Sequence, residues 1–285
     1  MIPAPTRYFR AGSLDEALAA LAEPDATALA GGQSLVSVMK LRLARPSLVV
    51  DIGRLDLAGL EVRDGELRIG ALTTWADLAA APELRRPALA ALAECAGTIG
   101  DLQVRNRGTI GGGLAHADPA SDMPAVVLAL GATLVVRSAA GERAIAASEF
   151  FLGPFRSALG EQDLLTEVVV PLPPTGSGSA YAAVDHPASG FALAGAAALV
   201  RRDGSRSVAL TGVGAGGHAL LLPADEEPER AIAAAEIYGD VLSVRSRSEA
   251  VAVDLRRGDC TLGLLVGGKQ ERVPAGADAC ERHAP

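Results

Sequence analysis

Two glycine-rich stretches constrain this chain more than any other feature in it. Ala30-Gly31-Gly32-Gln33-Ser34 leads into Leu35 and the residues up to Arg42. Thr109-Ile110-Gly111-Gly112-Gly113 leads into Ala115-His116-Ala117-Asp118 and then Ser121-Asp122. Glycine admits φ > 0 and lets a ligand approach bare backbone. Successive N–H groups in such a turn can converge on an anion. Taken alone, the first turn reads as a strand-to-helix connector, where glycine is common. The second is harder to dismiss, because three consecutive glycines raise the entropy cost of folding. Two such turns, each beside a small hydroxyl or amide residue, fit a ligand with two phosphates.

Size and composition bound what can surround them. The chain has 285 residues, enough for one large or two medium domains. Hydrophobic residues make up 49% and aromatics 3%, so Ala, Val and Leu must build the core. A net charge of −8 argues against nucleic acid or an anionic membrane as the main partner. The apolar runs at 125–136 and 192–200 fall short of the ~20 residues of a membrane span. The first seven residues lack a signal-peptide layout. A cytoplasmic protein is expected. Cys95, Cys260 and Cys280 form no C-x-x-C pair, so neither a zinc site nor an iron–sulfur cluster is encoded here.

Ser13-Leu14-Asp15-Glu16 has capping-box spacing, and Leu14, Ala17, Leu18 and Leu21 recur at helical intervals, predicting a helix over 13–22. Residues 27–30 read as a short strand, 35–41 as a helical turn or two, and 48–52 as a buried strand. Asp64-Gly65 between 60–62 and 67–69 is a hairpin signal. Thr74 can cap a short helix, 87–95 reads as helical, and 99–107 as polar and irregular. Asp122, with Pro124 in the first turn, opens a helix to Leu130. Strands at 133–136 and 164–171 flank a loop at 152–155. Residues 171–179, rich in Pro, Gly and Ser, are the linker candidate. Beyond it come strands at 180–184, 191–200 and 207–213 and a short helix at 231–237. Residues 251–255 and 261–266 look strand-like, and 267–285, without apolar period, reads as a surface tail.

The motifs of common nucleotide and hydrolytic sites are missing. There is no early G-x-G-x-x-G, no Walker lysine and no G-x-S-x-G elbow. Asp122 is most simply a helix N-cap, with a ribose hydroxyl or an ordered water as the second reading. His116 reads as a structural histidine, since His186, His218 and His283 do not supply evident partners for a metal. No residue presents itself as acid, base or nucleophile. That suits a protein whose bound cofactor carries the reactivity.

The first motif, extended through Met39-Lys40-Leu41-Arg42, and the second, extended through Leu114 to Pro119, resemble the FAD-binding medium subunit of molybdenum hydroxylases, a family that includes carbon monoxide dehydrogenase and xanthine dehydrogenase. Phe150-Phe151-x-Gly153-Pro154-Phe155 and Leu164-Leu165-Thr166-Glu167-Val168 add to the likeness. The resemblance implies an α/β (α+β) fold of the vanillyl-alcohol-oxidase/PCMH type. Two FAD-binding subdomains, at 1–55 and 56–173, would precede a smaller α/β domain at 178–285. FAD is expected to be non-covalent, since no histidine or cysteine is clearly placed to attach it. Ala30, Gly31, Gly32, Gln33, Ser34 and Leu35 would line the pyrophosphate and ribityl chain together with Thr109, Ile110, Gly111, Gly112 and Gly113. Asp118 belongs to the same motif. Asp122 would stand at the nucleotide, Ile99 beside the flavin or adenine, and Leu165 near the cofactor. No catalytic residue and no metal ligand is implied on this chain. The implied partners are a large molybdopterin subunit and a small [2Fe–2S] subunit, assembled as a dimer of heterotrimers. Electrons would reach FAD from the clusters and leave to NAD, a quinone or O₂.

Three positions depart from the family pattern. Gly113 stands where asparagine is frequent, and Ala182 and Ala183 where a lysine often lies near the flavin. No Ser-Ala-x-Tyr-Arg segment follows Tyr238, so the stretch from about 240 reads as diverged or frame-altered. Two rival readings stay open. One is a self-contained FAD oxidase acting on an alcohol or sugar, which would need a general base. The other is a nucleotide-binding protein without catalysis.

Overall fold

A computed structural model describes residues 2–186, 189–212 and 219–222, and the backbone of three strands beyond them. The first 51 residues build a small parallel sheet. Its strands β1 (Arg7–Arg10), β2 (Ala26–Leu29) and β3 (Leu48–Asp51) lie in the order β1-β3-β2. Helices α1 (Leu14–Leu21) and α2 (Leu35–Lys40) make the crossovers. The cap forms, with Ser13 Oγ accepting from Glu16 N at 3.2 Å, while Glu16 Oε2 accepts from Gly12 N, one residue before the cap, at 2.8 Å. Ala17, Leu18 and Leu21 of α1 pack with Leu48 and Val50 in a cluster that also takes in Leu72 and Leu164.

The second unit is an antiparallel sheet in the order β4-β5-β10-β6-β7. Its strands are β4 (Leu60–Arg63), β5 (Glu66–Gly70), β6 (Thr133–Ser138), β7 (Gly141–Ala146) and β10 (Leu164–Pro171). The hairpin at Asp64-Gly65 has φ of 54° and 81° at those residues, the all-positive pair that a twisted two-residue turn needs. Between β5 and β6 run α3 (Trp75–Ala80), α4 (Ala90–Thr98), α5 (Leu102–Arg105), α6 (Ile110–His116) and α7 (Met123–Ala129). After β7 come α8 (Ala147–Phe150) and a small hairpin, β8 (Phe151–Gly153) with β9 (Arg156–Ser157), where a plain loop was expected. The stretch expected to be irregular at 99–107 holds α5, capped by Asp101 Oδ1 accepting from Val104 N at 2.8 Å.

The third sheet has the order β11-β12-β13-β14, with β11 (Gly178–Asp185), β12 (Ala192–Val200), β13 (Arg206–Thr211) and β14 (Leu220–Leu221). Every residue of α7 is buried, against α4, α6 and α8 and against β12, β13 and β14 of the third sheet. That position explains why α7 has no polar face. Farther on, β15 (Val253–Leu255), β16 (Thr261–Val266) and β17 (Lys269–Pro274) form a separate antiparallel sheet. The strand β17 falls in the stretch read as a surface tail. Its register pairs Lys269 with Val266, and the intervening Gly267-Gly268 is a two-residue hairpin signal that apolar periodicity does not detect. The expected helix at 231–237 lies outside the described residues.

Candidate functional site

The first glycine stretch leaves the C-terminal end of β2 and enters α2. Gly31 has no room for a side chain: a Cβ there would lie 2.0 Å from the carbonyl oxygen of Arg107 and 2.9 Å from Gly108 Cα. Gly32 turns the chain with φ 77°. Ser34 precedes the helix without a side-chain capping bond, and Gln33 accepts from Ser37 Oγ through its carbonyl at 2.9 Å. Among the described residues, no protein group accepts from the backbone N–H groups of residues 31–35. Five consecutive donors are therefore unspent. Leu35 is half-buried behind them.

The second stretch differs from the turn expected for it. Thr109 is the N-cap of α6, and the three glycines are its first helical residues after Ile110. Their N–H groups are already used. Ile110 N donates to Thr73 O at 3.0 Å, Gly111 N to Ala71 O at 2.9 Å, Gly112 N to Thr109 Oγ1 at 3.2 Å and Gly113 N to Thr109 O at 3.0 Å. Two of the glycines make room for protein rather than for a ligand. A Cβ on Gly111 would sit 2.5 Å from Ala71 Cβ, and one on Gly113 2.7 Å from Trp75 Cζ2. The indole of Trp75 fills the space in which a side chain at 113 would lie. Gly112 alone of the three is turned toward the first stretch, with its absent Cβ 3.7 Å from Ala30 Cβ. The two stretches thus meet, Gly31 on Arg107 and Gly108 and Ala30 on Gly112.

Asp122 occupies the N-cap position of α7 but makes no capping bond, contrary to the simplest expectation. Its Oδ1 is buried without a hydrogen bond, and so is the hydroxyl of Tyr181 on β11. The two side chains influence one another electrostatically, yet no hydrogen bond of acceptable geometry joins them. Burial pushes the Asp122 carboxyl up to about 6; the Tyr181 hydroxyl opposes this and the charge of Asp185 adds to it. Burial, Cys95 and Asp122 together hold the Tyr181 phenol far above its usual range. Gly195 on β12 creates the space for that phenol, since a Cβ there would lie 2.6 Å from the hydroxyl oxygen. Glu94 closes the cluster by accepting from Tyr181 N at 2.8 Å.

The remaining candidates are placed as follows. Asp118 Oδ1 accepts from Ala120 N at 2.9 Å and shapes the loop before α7. Ile99 is the half-buried C-cap of α4, with its carbonyl accepting from Arg105 Nη1 at 3.2 Å. Leu165 is buried in the main core on β10. His116 lies tilted against Phe155 with ring centroids 5.2 Å apart, and no metal-binding group of side chains exists among the described residues. Cys95 is a buried free thiol. Sequence reading passed over Trp75, Arg107 and Gly108 as parts of the site. A lone tryptophan after Thr73-Thr74 was the available signal.

Residues 4–173 match the family described as FAD binding domain in molybdopterin dehydrogenase. The carbon monoxide dehydrogenase medium chain of Hydrogenophaga pseudoflava is 40% identical over 220 residues, covering 75% of this chain and 76% of the relative. The glyceraldehyde dehydrogenase medium chain of Sulfolobus acidocaldarius is 41% identical over 207 residues, covering 72% and 73%. A solved carbon monoxide dehydrogenase from Hydrogenophaga pseudoflava superposes with TM-score 0.77 at 37% identity, over 84% of this chain and 90% of that one.

Proposed function

The chain belongs to the family of FAD-binding domains of molybdopterin dehydrogenases, and from that premise we propose that it is the cytoplasmic electron-transfer subunit of a heteromeric molybdenum hydroxylase. The unspent donors fit the cofactor. A diphosphate is held by backbone N–H donors, and residues 31–35 offer five unspent ones beside bare glycine backbone. The buried Asp122 Oδ1 and Tyr181 hydroxyl face one another without a well-formed hydrogen bond, which leaves the carboxyl able to take a polar group of the nucleotide.

In this reading Gly31, Gly32, Gln33, Ser34 and Leu35 hold the pyrophosphate through backbone. Ala30, Thr109 and Gly112 form the opposing wall, with Ile110, Gly111 and Gly113 fixing that wall against Ala71 and Trp75. Asp122 accepts a hydroxyl or ring N–H of the nucleotide. Ile99 and Leu165 contribute apolar surface near it. FAD bound there supplies the redox chemistry, taking electrons that start at molybdopterin on a large partner and pass through [2Fe–2S] clusters on a small one, for delivery to NAD, a quinone or O₂. The complex is a dimer of such heterotrimers. The single observation that carries the reading is the unspent backbone at 31–35 in a chain of this family.

The test is co-expression with the neighbouring genes, followed by purification. The expected result is an oxidoreductase complex with one FAD per copy of this chain, removable by denaturation without covalent residue, and iron on a partner. An active chain that purifies alone, or one carrying no flavin, would overturn the reading.

A further inference from the structure

The third sheet reaches the candidate site at two adjoining residues, Ser121 and Asp122. Thr211 Oγ1 of β13 donates to Ser121 O at 2.6 Å and holds the backbone just before α7. The Tyr181 hydroxyl of β11 faces the Asp122 carboxyl. On the strand between them, β12, Gly195 has no side chain. A Cβ there would meet both groups, the phenol oxygen at 2.6 Å and Thr211 Cγ2 at 2.9 Å. Three neighbouring strands are thus shaped around one pair of residues in the loop that precedes α7.

Packing alone does not account for the Tyr181 hydroxyl. The side chain is 3% exposed, and its oxygen is buried without a well-formed hydrogen bond, as is Asp122 Oδ1. A buried polar group in that condition costs free energy, and phenylalanine would fill the same volume without the cost. The hydroxyl does have one electrostatic consequence. Burial and the charge of Asp185 both disfavour an ionised Asp122, and the Tyr181 hydroxyl alone favours it. Tyr181 and Asp185 lie on β11; Cys95 on α4 feels both Asp122 and Glu94. The other titratable side chains on elements packed against α7 are His116 of α6, Glu149 of α8 and Arg206 of β13, and none of them acts on Asp122. The strands β12 and β14 carry none.

We propose that Tyr181 is a positioning residue for the nucleotide: its hydroxyl donates to one oxygen of the Asp122 carboxylate and turns the other toward the hydroxyl or ring N–H that Asp122 accepts. The inference rests on the electron-transfer reading above and adds the third sheet to the cofactor site. Donor and acceptor already stand opposite one another, with the bond between them not closed. A ligand group that bonds the carboxylate fixes its orientation, so the bond from Tyr181 and the bond from the nucleotide reinforce each other. A hydroxyl is the fitting donor here, because it holds the carboxylate charged without adding a charge of its own.

The test uses the assembled complex, stripped of flavin and titrated with FAD between about pH 5 and 8. Wild-type chain is compared with Tyr181→Phe, Asp122→Asn and the double variant. Thermal midpoints of the stripped complexes report folding, and Tyr181→Phe should melt no earlier than wild type, since it loses only an unpaired hydroxyl. Wild-type affinity for FAD should fall as pH drops through about 6, where the carboxyl takes up its proton. Tyr181→Phe should bind FAD about fivefold more weakly at neutral pH, as for one lost hydrogen bond. Its fall in affinity should begin at higher pH, because the group that favours the carboxylate is gone. Asp122→Asn should show no such fall, and adding Tyr181→Phe to it should cost nothing further. An equal loss from Tyr181→Phe in both backgrounds, with the pH profile unmoved, makes the phenol a packing group and overturns the proposal. Unaltered affinity and profile in Tyr181→Phe overturn it too and leave the electron-transfer reading standing. Full affinity of Asp122→Asn with the wild-type profile takes the carboxyl away from the nucleotide and the proposal with it, while FAD binding itself stands. A wild-type complex that takes up no FAD overturns the electron-transfer reading and this inference together.

Discussion

At the scale of single residues, Asp122 and Gly31 carry the clearest consequences. Burial holds the Asp122 carboxyl at about 6 in the folded chain, against an ordinary 3.8. The folded state therefore binds this proton more tightly than the unfolded state. Ionisation in place is penalised; the penalty is complete above pH 6 and is relieved as pH falls toward 4. Asp122→Asn should stabilise the cofactor-free chain at pH 7.5 by on the order of 2 kcal/mol and add little at pH 3.5. Urea midpoints of both proteins at the two pH values decide it, and an equal gain at both would remove the carboxyl from the explanation. The same variant should hold FAD about tenfold less tightly, as expected for a lost charged hydrogen-bond acceptor. Gly31→Ala sets a methyl group 2.0 Å from the Arg107 carbonyl oxygen. Backbone cannot retreat as a side-chain tip can, so a loss of roughly 3 kcal/mol or more is expected in denaturant unfolding. Because the same contact joins the two glycine stretches, flavin content should fall with it.

At the scale of elements, α6 shows why the site was only half legible in the sequence. Three consecutive glycines each disfavour a helix by about 1 kcal/mol relative to alanine, and reading them as a turn followed from that. What overrides the propensity is tertiary: Thr73 O and Ala71 O accept the first donors, and Ala71 and Trp75 occupy the places of two side chains. Likewise β1, exposed throughout its four residues, has no apolar signature and exists because β3 pairs with it in parallel. The elements that were legible, α1 and the Asp64-Gly65 hairpin, are specified within a few residues by a cap and a turn. The packing of α6 on Trp75 is open to a double-mutant cycle. Gly113→Ala should cost 1–3 kcal/mol despite its better propensity, because the methyl group meets Cζ2 at 2.7 Å. Trp75→Phe removes that ring edge and should make Gly113→Ala milder, with a coupling of about 1 kcal/mol in thermal or urea unfolding. Additive losses would mean that the indole is not what excludes a side chain at 113.

At the scale of the whole molecule, the family match and the core disagree about where a folding unit ends. The matched segment stops at residue 173, before the third sheet begins. The main core continues past it: Tyr181, Ala197, Leu199 and Ala209 belong to the same cluster as Leu92, Ile110, Met123 and Leu134. The helix α7, MPAVVLA, is buried over its whole length, with β12 and β13 against it. Polar links cross the same boundary, with Thr211 Oγ1 donating to Ser121 O at 2.6 Å and Ala91 N to Ser179 Oγ at 3.1 Å. A fragment ending at residue 173 would expose the outer face of α7, where Val126, Val127 and neighbours would form a contiguous apolar patch on a monomer. Each such side chain, left in water, forfeits about 1.5–3 kcal/mol of burial, a large share of the 5–15 kcal/mol that holds a domain folded. The fragment 1–173 should therefore aggregate or bind hydrophobic dyes, and lose its cooperative unfolding transition, while the chain extended to 222 keeps it. Gel filtration and thermal melts of the two fragments separate the outcomes. A monomeric 1–173 that melts cooperatively and takes up FAD would show that the third sheet is an appendage, and that α7 owes its burial to a neighbour it can do without.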